Sequence, residues 1–301
     1  RDRSPSRGLG DVYKRQGIEA EMAMLGSSAR AAAQALATTT VDARRAAIEA
    51  VADALAAGYD EILVANAEDM ADARAAKLNA AMLDRLALDN GRVGAMISGM
   101  REGAKLDDPL GRVLGEWTRP NGLRIERVTI PIGVIGIIYE SRPNVTADAG
   151  VLCLMSGNAA ILRCGSESFR TSSAIAECLR RGLQAAELPE DCIQLVPTRE
   201  RAAVGMLLSM DEDVDIIVPR GGRSLIERVK EDSRIPVLAH LDGICHVYVH
   251  AAADVDKARC VTLNAKMRRT GICGAMETLL VDRAALDMLP KILASLHEAG
   301  C

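Results

Sequence analysis

A continuous apolar run is the feature that most limits how this chain can fold. The segment "VIGIIY", Val134 to Tyr139, follows shortly after Pro131. An unbroken apolar strand has to be buried on both faces, as in a parallel sheet. Amphipathic segments at 169–186 and 200–210 separate the strand-like segments that follow, which are "AAILRC", "IQLVP", "VDIIVP" and "PVLAH". Strands that alternate with helices predict a doubly wound, Rossmann-type α/β sheet.

The residues before this sheet have a different period. From residue 18 to about residue 100 the chain is rich in alanine, leucine and charge at helical spacing, which predicts several packed helices. Thr40 or Asp42 is positioned to cap the second helix, and Asn79 to cap a later one. Past Pro109, the alternating segment "LRIERVTI" predicts a half-exposed strand.

The length of 301 residues suggests two domains. We expect a cofactor-binding domain over residues 17–250 and the beginning of an α/β catalytic domain over 251–301. A new helix from residue 254 leads to a loop around residue 273, and "ETLLV" then begins another strand. Residues 1–16 are polar and aperiodic, and we leave them out of the fold as a non-native tail.

Composition narrows the class of partner. With 37 Lys and Arg against 41 Asp and Glu, the net charge of −4 favours a small-molecule ligand over nucleic acid or a membrane surface. The apolar runs are too short to cross a membrane and no signal peptide is recognisable, so we expect a cytoplasmic protein. Eight cysteines without a C-x-x-C pair or zinc-ligand spacing favour reduced thiols and no metal site.

Cys273 is the candidate nucleophile. It lies between two glycines in "RRTGICGAME", a few residues after Lys266, Arg268 and Arg269. Nearby positive charge and exposed backbone N–H groups favour a reactive thiolate. The alternative is that Cys273 is a small buried apolar residue in a turn.

Two turns are candidates for binding a nucleotide at the carboxyl ends of the predicted strands. In "LRCGSES", Arg163 and Ser166 could hold phosphate and ribose, and in "PRGGRSLIERV" Gly221 and Gly222 open a helix. Neither is a G-x-G-x-x-G motif, so each could be an ordinary strand-to-helix turn. Asn144, in "YESRPNVTADAG", is either an oxyanion donor or the cap of the following helix.

The ordered set of motifs resembles the γ-glutamyl phosphate reductases, a family of the aldehyde dehydrogenase superfamily. The set comprises "PIGVIGIIYESRPNVTADA", "ILRCGSES", "VDIIVPRGGRSLI", "PVLAHLDGICHVYV" and "NAKMRRTGICGAMETLLV". The resemblance implies an aldehyde dehydrogenase-like fold and NADPH-dependent reduction of L-glutamyl 5-phosphate to L-glutamate 5-semialdehyde, the second step of proline biosynthesis.

The resemblance also implies roles for individual residues. Cys273 would form a thioacyl enzyme, and the Asn144 amide and the Cys273 backbone N–H would bind the carbonyl oxygen. The cofactor-binding residues would be Arg163, Ser166 and Glu167 at the adenosine ribose and its 2′-phosphate, with Gly221 and Gly222 at the pyrophosphate. The candidates for binding substrate phosphate or carboxylate are Arg142, Arg268 and His240. His240 stands where hydrolytic relatives carry a water-activating glutamate, and its alternative roles are to orient the loop or to be buried without a catalytic role.

Some features depart from the family pattern. Cys164 replaces a usual glycine, and family members continue well beyond Cys301, so we expect a C-terminally truncated chain. The hairpin near 112–130 joins a neighbouring subunit's sheet in the superfamily, which implies a homo-oligomer, and glutamate 5-kinase is a further candidate partner. Two alternatives stay open: an acylating dehydrogenase of another acyl donor such as an acyl-coenzyme A, and an inactive assembly module.

Overall fold

The computed structural model of the protein describes residues 6–240, 243–270 and 272–301, with the backbone alone for residues 6–16. It divides into two compact units, Arg1–Ala239 and His240–Cys301. This division lies eleven residues before the boundary expected between residues 250 and 251, because the strand Cys245–Val249, which was not predicted from the sequence, belongs to the second unit.

Five helices begin the first unit. They are α1 (Ser6–Leu36), α2 (Val41–Ala57), α3 (Tyr59–Ala75), α4 (Ala80–Leu86) and α5 (Asn90–Ala104). Thr40 caps α2, because its side chain accepts a 3.2 Å hydrogen bond from the Ala43 N–H, and Asn79 caps α4 by accepting a 2.9 Å bond from Met82. Helix α1 begins inside the segment that the sequence reading left out.

A two-stranded antiparallel hairpin follows. It consists of β1 (Val113–Thr118) and β2 (Arg124–Val128). Both strands are largely exposed, including the apolar side chains of Leu114, Trp117 and Val128. The hairpin therefore leaves apolar surface uncovered in this chain.

A four-stranded parallel sheet forms the centre of the first unit, and it confirms the predicted α/β fold. Its strand order is β5-β4-β3-β6. The strands are β3 (Val134–Tyr139), β4 (Ala159–Arg163), β5 (Ile193–Leu195) and β6 (Ile216–Arg220). The helices that connect or follow them are α6 (Val145–Met155), α7 (Phe169–Ala185), α8 (Ala202–Leu207) and α9 (Arg223–Asp232).

The strand order creates a switch point beside β3. The chain proceeds from β3 outward to β4 and β5, then returns to place β6 on the other side of β3. In open α/β sheets, ligands bind at the carboxyl edge where the direction of winding reverses. The segment "PVLAH" adds only a single bridge, between Val237 and Ile217, where the sequence suggested another full strand.

The packing explains why this sheet is stable. Every residue of β3 is buried, as predicted from its continuous apolar sequence. Helices α2 and α7 approach closely at Gly182, where a Cβ atom would overlap the Val51 backbone. The buried hydroxyl groups of Tyr139 and Thr146 form a 2.6 Å hydrogen bond that links β3 to α6.

The second unit contains two parallel strands and two helices. They are β7 (Cys245–Val249), α10 (Val255–Met267), β8 (Met276–Val281) and α11 (Leu289–Glu298). A small apolar cluster of Val249, Ala285 and Ile292 holds them together. Within the described part of the chain, no helix is both long enough and apolar enough to span a membrane.

Candidate active site

The predicted site residues of the first unit lie at the carboxyl edge of the parallel sheet. The turn after β3 carries Arg142 and Asn144, the turn after β4 carries Ser166 and Glu167, and Gly221 and Gly222 follow β6. Parallel strands end at the same edge, so the fold brings these three turns together.

Glu140 lies directly after β3, at the switch point. Its Oε2 accepts a 2.9 Å hydrogen bond from the Gly222 N–H, which begins α9 without a side-chain cap. A Cβ atom at Gly221 would lie 2.5 Å from the same carboxylate oxygen, so a larger residue at this position would displace the Glu140 side chain. The N–H group proposed for the pyrophosphate therefore already has an anionic partner.

Asn144 occupies the N-cap position of α6, but its side chain does not accept a capping hydrogen bond. Instead, Asn144 Nδ2 donates a 2.8 Å bond to Asp148 Oδ2, one turn along the helix. Burial raises the pKa of the Asp148 carboxyl group, while the bond from Asn144 and the charge of Arg220 oppose that shift. The bond fixes the orientation of an amide that retains a second N–H.

Arg163 points into the protein. It is 8% exposed, and its guanidinium donates to the carbonyl of Arg199 at 3.1 Å and to the carbonyl of Cys164. Its Nε is buried without a hydrogen-bond partner. Cys164 is also buried, which raises the pKa of its thiol, so the residue that replaces the family's glycine is accommodated in the core.

Glu167 makes its contacts across to the neighbouring turn. Its Oε1 accepts hydrogen bonds from the Ser141 N–H at 2.8 Å and from Ser141 Oγ at 2.6 Å. The hydroxyl of Ser166, which is exposed, lies 3.4 Å from Glu167 Oε2. The carboxylate that the resemblance assigns to the ribose is thus engaged by protein groups.

The second unit presents Cys273 on a turn between α10 and β8. The residue is exposed, so the alternative of a buried apolar cysteine is wrong. Cys245, at the start of β7, donates from Sγ to the Cys273 carbonyl at 3.2 Å. A Cβ atom at Gly243 would overlap that carbonyl, so the chain just before β7 lies very close to the turn that carries Cys273. Gly271, one of the two glycines on either side of Cys273 in the sequence, lies outside the described residues.

The remaining candidates are half-buried or exposed. Arg142 is half-buried in the turn after β3. Arg268 is exposed at the C-terminus of α10, where its N–H donates to the Asn264 carbonyl. His240 is also exposed, so the alternative of burial without a catalytic role does not describe it.

Four residues in or next to these turns were not predicted from the sequence: Glu140, Ser141, Asp148 and Cys245. The two acidic residues carried a usable signal, because a carboxylate next to a predicted strand end or in the first turn of a helix has backbone or side-chain donors within reach. The contacts of Cys245 depend on the pairing of β7 with β8, which no local pattern specifies.

Comparison with known proteins agrees with this architecture. The aldehyde dehydrogenase family profile matches residues 5–299. The chain therefore belongs to the aldehyde dehydrogenase family.

Within that family, the chain is similar to γ-glutamyl phosphate reductases. It is 60% identical over 278 residues to the enzyme of Rhodospirillum rubrum, covering 92% of this chain and 65% of that protein. It is 55% identical to the enzyme of Allorhizobium ampelinum, covering 97% and 69%. The crystal structure of the Thermotoga maritima enzyme superposes with a TM-score of 0.86 at 38% identity, covering 93% and 68%. The chain thus spans about two thirds of the length of these relatives, and the resemblance seen in the sequence is confirmed.

Proposed function

We propose that this protein catalyses the NADPH-dependent reduction of L-glutamyl 5-phosphate to L-glutamate 5-semialdehyde and phosphate, in proline biosynthesis. The observation that carries the proposal is the exposed Cys273 thiol on its turn before β8. The names of the relatives at 55% and 60% identity supply the substrate and the reduction, and the resemblance of the sequence motifs to this family supplies the pathway.

Cys273 would act as the nucleophile. Its thiolate attacks the acyl carbon of the substrate, a carbon–sulfur bond forms, and the bond from that carbon to the phosphate oxygen breaks to release inorganic phosphate. The close approach of Gly243 and the bond from Cys245 hold the carbonyl of Cys273, which supports a defined loop conformation. The product of this step is a thioacyl enzyme.

Asn144 would stabilise the oxyanion that develops on the substrate carbonyl, together with the backbone N–H of Cys273. The bond to Asp148 supports this role, because it uses one N–H of the amide and leaves the other available for an oxyanion. Preorganised donors of this kind contribute much of the rate in acyl transfer.

The turns at the carboxyl edge of the parallel sheet fit a dinucleotide. Exposed Gly221 and Gly222 open α9 with no side-chain cap, and the turn after β4, which carries exposed Ser166, lies along the same edge of the sheet. NADPH, when bound, supplies the hydride that reduces the thioacyl group. Gly222 would donate to the pyrophosphate once Glu140 is displaced from it.

The choice of NADPH over NADH would depend on Arg163 and Ser166. No acidic residue stands between β4 and Glu167, and the Glu167 carboxylate accepts hydrogen bonds from the Ser141 N–H and hydroxyl, which offset part of its repulsion of a 2′-phosphate. Arg163→Ala is expected to reduce the ratio of NADPH to NADH turnover. Equal use of both cofactors by the unmodified protein would contradict the role of Arg163.

Arg142, Arg268 and His240 would bind the substrate's phosphate or carboxylate groups. Guanidinium groups suit both anions because their donors form a planar fork. His240 and Arg268 are exposed, and Arg268 precedes the nucleophile by five residues.

The competing hypothesis is an acylating dehydrogenase that uses an acyl-coenzyme A with the same cysteine. The deciding experiment measures NADPH oxidation by the full-length protein with L-glutamyl 5-phosphate, generated in place by a kinase, and separately with acyl-coenzyme A thioesters. Turnover of the acyl phosphate supports the proposal. Turnover of the thioester alone would replace it, and turnover of neither by a folded protein would favour the inactive assembly module.

The protein would act as a homo-oligomer in the cytoplasm, with glutamate 5-kinase as a candidate partner. The exposed apolar side chains of the β1–β2 hairpin support self-association. The instability of acyl phosphates in water gives a chemical reason for contact with the kinase that makes them.

A further inference from the structure

Ser141 has an unusual backbone conformation. Its φ is +46°, and the other non-glycine residues with positive φ in the described part of the chain are Lys77 and Glu187. Lys77 and Glu187 lie just past the ends of α3 and α7, where left-handed residues are common. Ser141 instead follows a buried strand and is itself 5% exposed, so the fold must hold it there at a cost.

Glu167 supplies the contacts that hold Ser141. One carboxylate oxygen, Oε1, accepts from both the backbone N–H and the hydroxyl of Ser141, at 2.8 and 2.6 Å. Hydrogen bonds to a carboxylate are short and strong, and two to a single oxygen fix both the backbone and the side chain of the serine. A Cβ atom at Gly165 would overlap the Glu167 carboxylate, so a larger residue at this position would displace the carboxylate from its present place beside Ser141.

The conformation of Ser141 determines where the following residues go. Arg142 and Asn144 come one and three residues later, and Asn144 begins α6. A change of φ at Ser141 would redirect this short segment relative to β3. Glu167 itself follows β4, so its bonds couple the candidate nucleotide turn to the candidate oxyanion turn.

We propose that Glu167 is a positioning residue, which holds Ser141 in the left-handed conformation and thereby places Asn144 for the reaction. This inference rests on the proposed function. The main role of Glu167 is then to position Ser141, and not to contact the ribose directly. Its Oε1 already accepts hydrogen bonds from the N–H and the hydroxyl of Ser141.

The test combines Glu167→Ala with Ser141→Gly in the full-length protein. Glu167→Ala is expected to lower kcat about tenfold, the scale set by the cost of a left-handed L-residue, with little change in KM for NADPH. Glycine adopts positive φ without strain. Glu167→Ala should therefore lower kcat much less in the Ser141→Gly background than in the unmodified protein. Glu167→Gln keeps an oxygen acceptor and should retain most of the activity. If Glu167→Ala does not fold, Glu167→Gln is measured in its place.

A matched control places the glycine elsewhere. Glu187→Gly relieves a second positive φ, of +58°, at the exposed end of α7, and in the Glu167→Ala background it should not restore kcat. A raised KM for NADPH with unchanged kcat in Glu167→Ala, or equal rescue by both glycines, would overturn the proposal.

Hydrogen exchange separates this inference from the proposed function. The Ser141 amide should be protected in the unmodified protein and exchange faster in Glu167→Ala, whether or not glutamyl phosphate is the substrate. Faster exchange in a protein without reductase turnover would count against the proposed function while supporting the positioning role of Glu167. Unchanged exchange would overturn that positioning role.

Discussion

At the scale of single residues, the cysteines differ in their exposure to solvent. Cys273 is exposed, whereas Cys153, Cys164, Cys178 and Cys192 are buried. Burial raises the pKa of these four thiols, so they remain protonated and unreactive near neutral pH. Covalent chemistry is therefore expected from an exposed cysteine.

The first prediction concerns Cys273→Ala. This change is expected to abolish the reaction in both directions and to leave NADPH affinity nearly unchanged, because it removes covalent capture and leaves the nucleotide turns intact. Steady-state rates and cofactor titration measure the two effects. Cys260→Ala, which removes another exposed cysteine on α10, is the matched control. Retained turnover in Cys273→Ala would refute the nucleophile assignment.

Asn144→Ala is expected to lower kcat without a matching loss of stability. If the amide is one of two oxyanion donors, the change should cost roughly 2.7–4 kcal/mol of transition-state stabilisation. Asn79→Ala is the contrasting variant, because Asn79 does cap its helix and should lose about 1 kcal/mol of unfolding free energy with no effect on rate. Urea unfolding and kinetics on both variants provide the comparison. The reverse pattern for Asn144 would make it a structural residue.

Glu140→Gln is expected to strengthen cofactor binding. The Glu140 carboxylate accepts from the Gly222 N–H proposed for the pyrophosphate, so removing its charge should lower the Kd for NADPH, by up to about fivefold for an exposed charge. The effect should shrink at high salt. Glu227→Gln, farther along α9, is the control, and an equal response of the two variants to fluorescence titration would argue against the assignment.

At the scale of elements, periodicity predicted the segments whose burial is regular. The continuous apolar sequence of β3, the amphipathic sequence of α7 and the Thr40 and Asn79 caps all depend on local chemistry, and all are present. Strand β7 was missed and "PVLAH" forms only one bridge, because a short strand is completed by its neighbour more than by its own sequence.

The hairpin gives a prediction at the same scale. Leu114 is 57% exposed, so Leu114→Glu should be tolerated by an isolated subunit but should weaken an oligomer in which β1 and β2 are covered. We expect a loss of at least about 1 kcal/mol of association free energy, measured by analytical ultracentrifugation of the full-length protein. Val64→Glu, on α3 and similarly exposed, is the control. Equal masses and dissociation constants for both variants would exclude the hairpin from the interface.

At the scale of the whole molecule, the proposed chemistry depends on excluding water as an acyl acceptor. His240 stands where the resemblance places a water-activating glutamate in hydrolytic aldehyde dehydrogenases. Hydrolysis of the thioacyl enzyme would waste the acyl phosphate, so a reductase benefits from lacking that base.

Oxidation of glutamate 5-semialdehyde by the full-length protein should therefore require inorganic phosphate. NADPH formation from the semialdehyde and NADP⁺ is followed with and without phosphate, and with arsenate as a substitute acceptor. Water should be a poor acceptor. Undiminished phosphate-free turnover that yields glutamate would refute the phosphorylating mechanism.

The sequence by itself determined the α/β class, the buried central strand, the helix caps and the cysteine loop, because each follows from local periodicity, capping chemistry or a short motif. The tertiary structure decided which groups meet. In the folded chain, Arg163 donates hydrogen bonds to two carbonyls and Glu140 accepts one from the Gly222 N–H. Glu167 accepts from Ser141, which lies 26 positions away in the sequence. These contacts depend on strand order at the carboxyl edge of the sheet, and strand order is fixed by packing between distant segments.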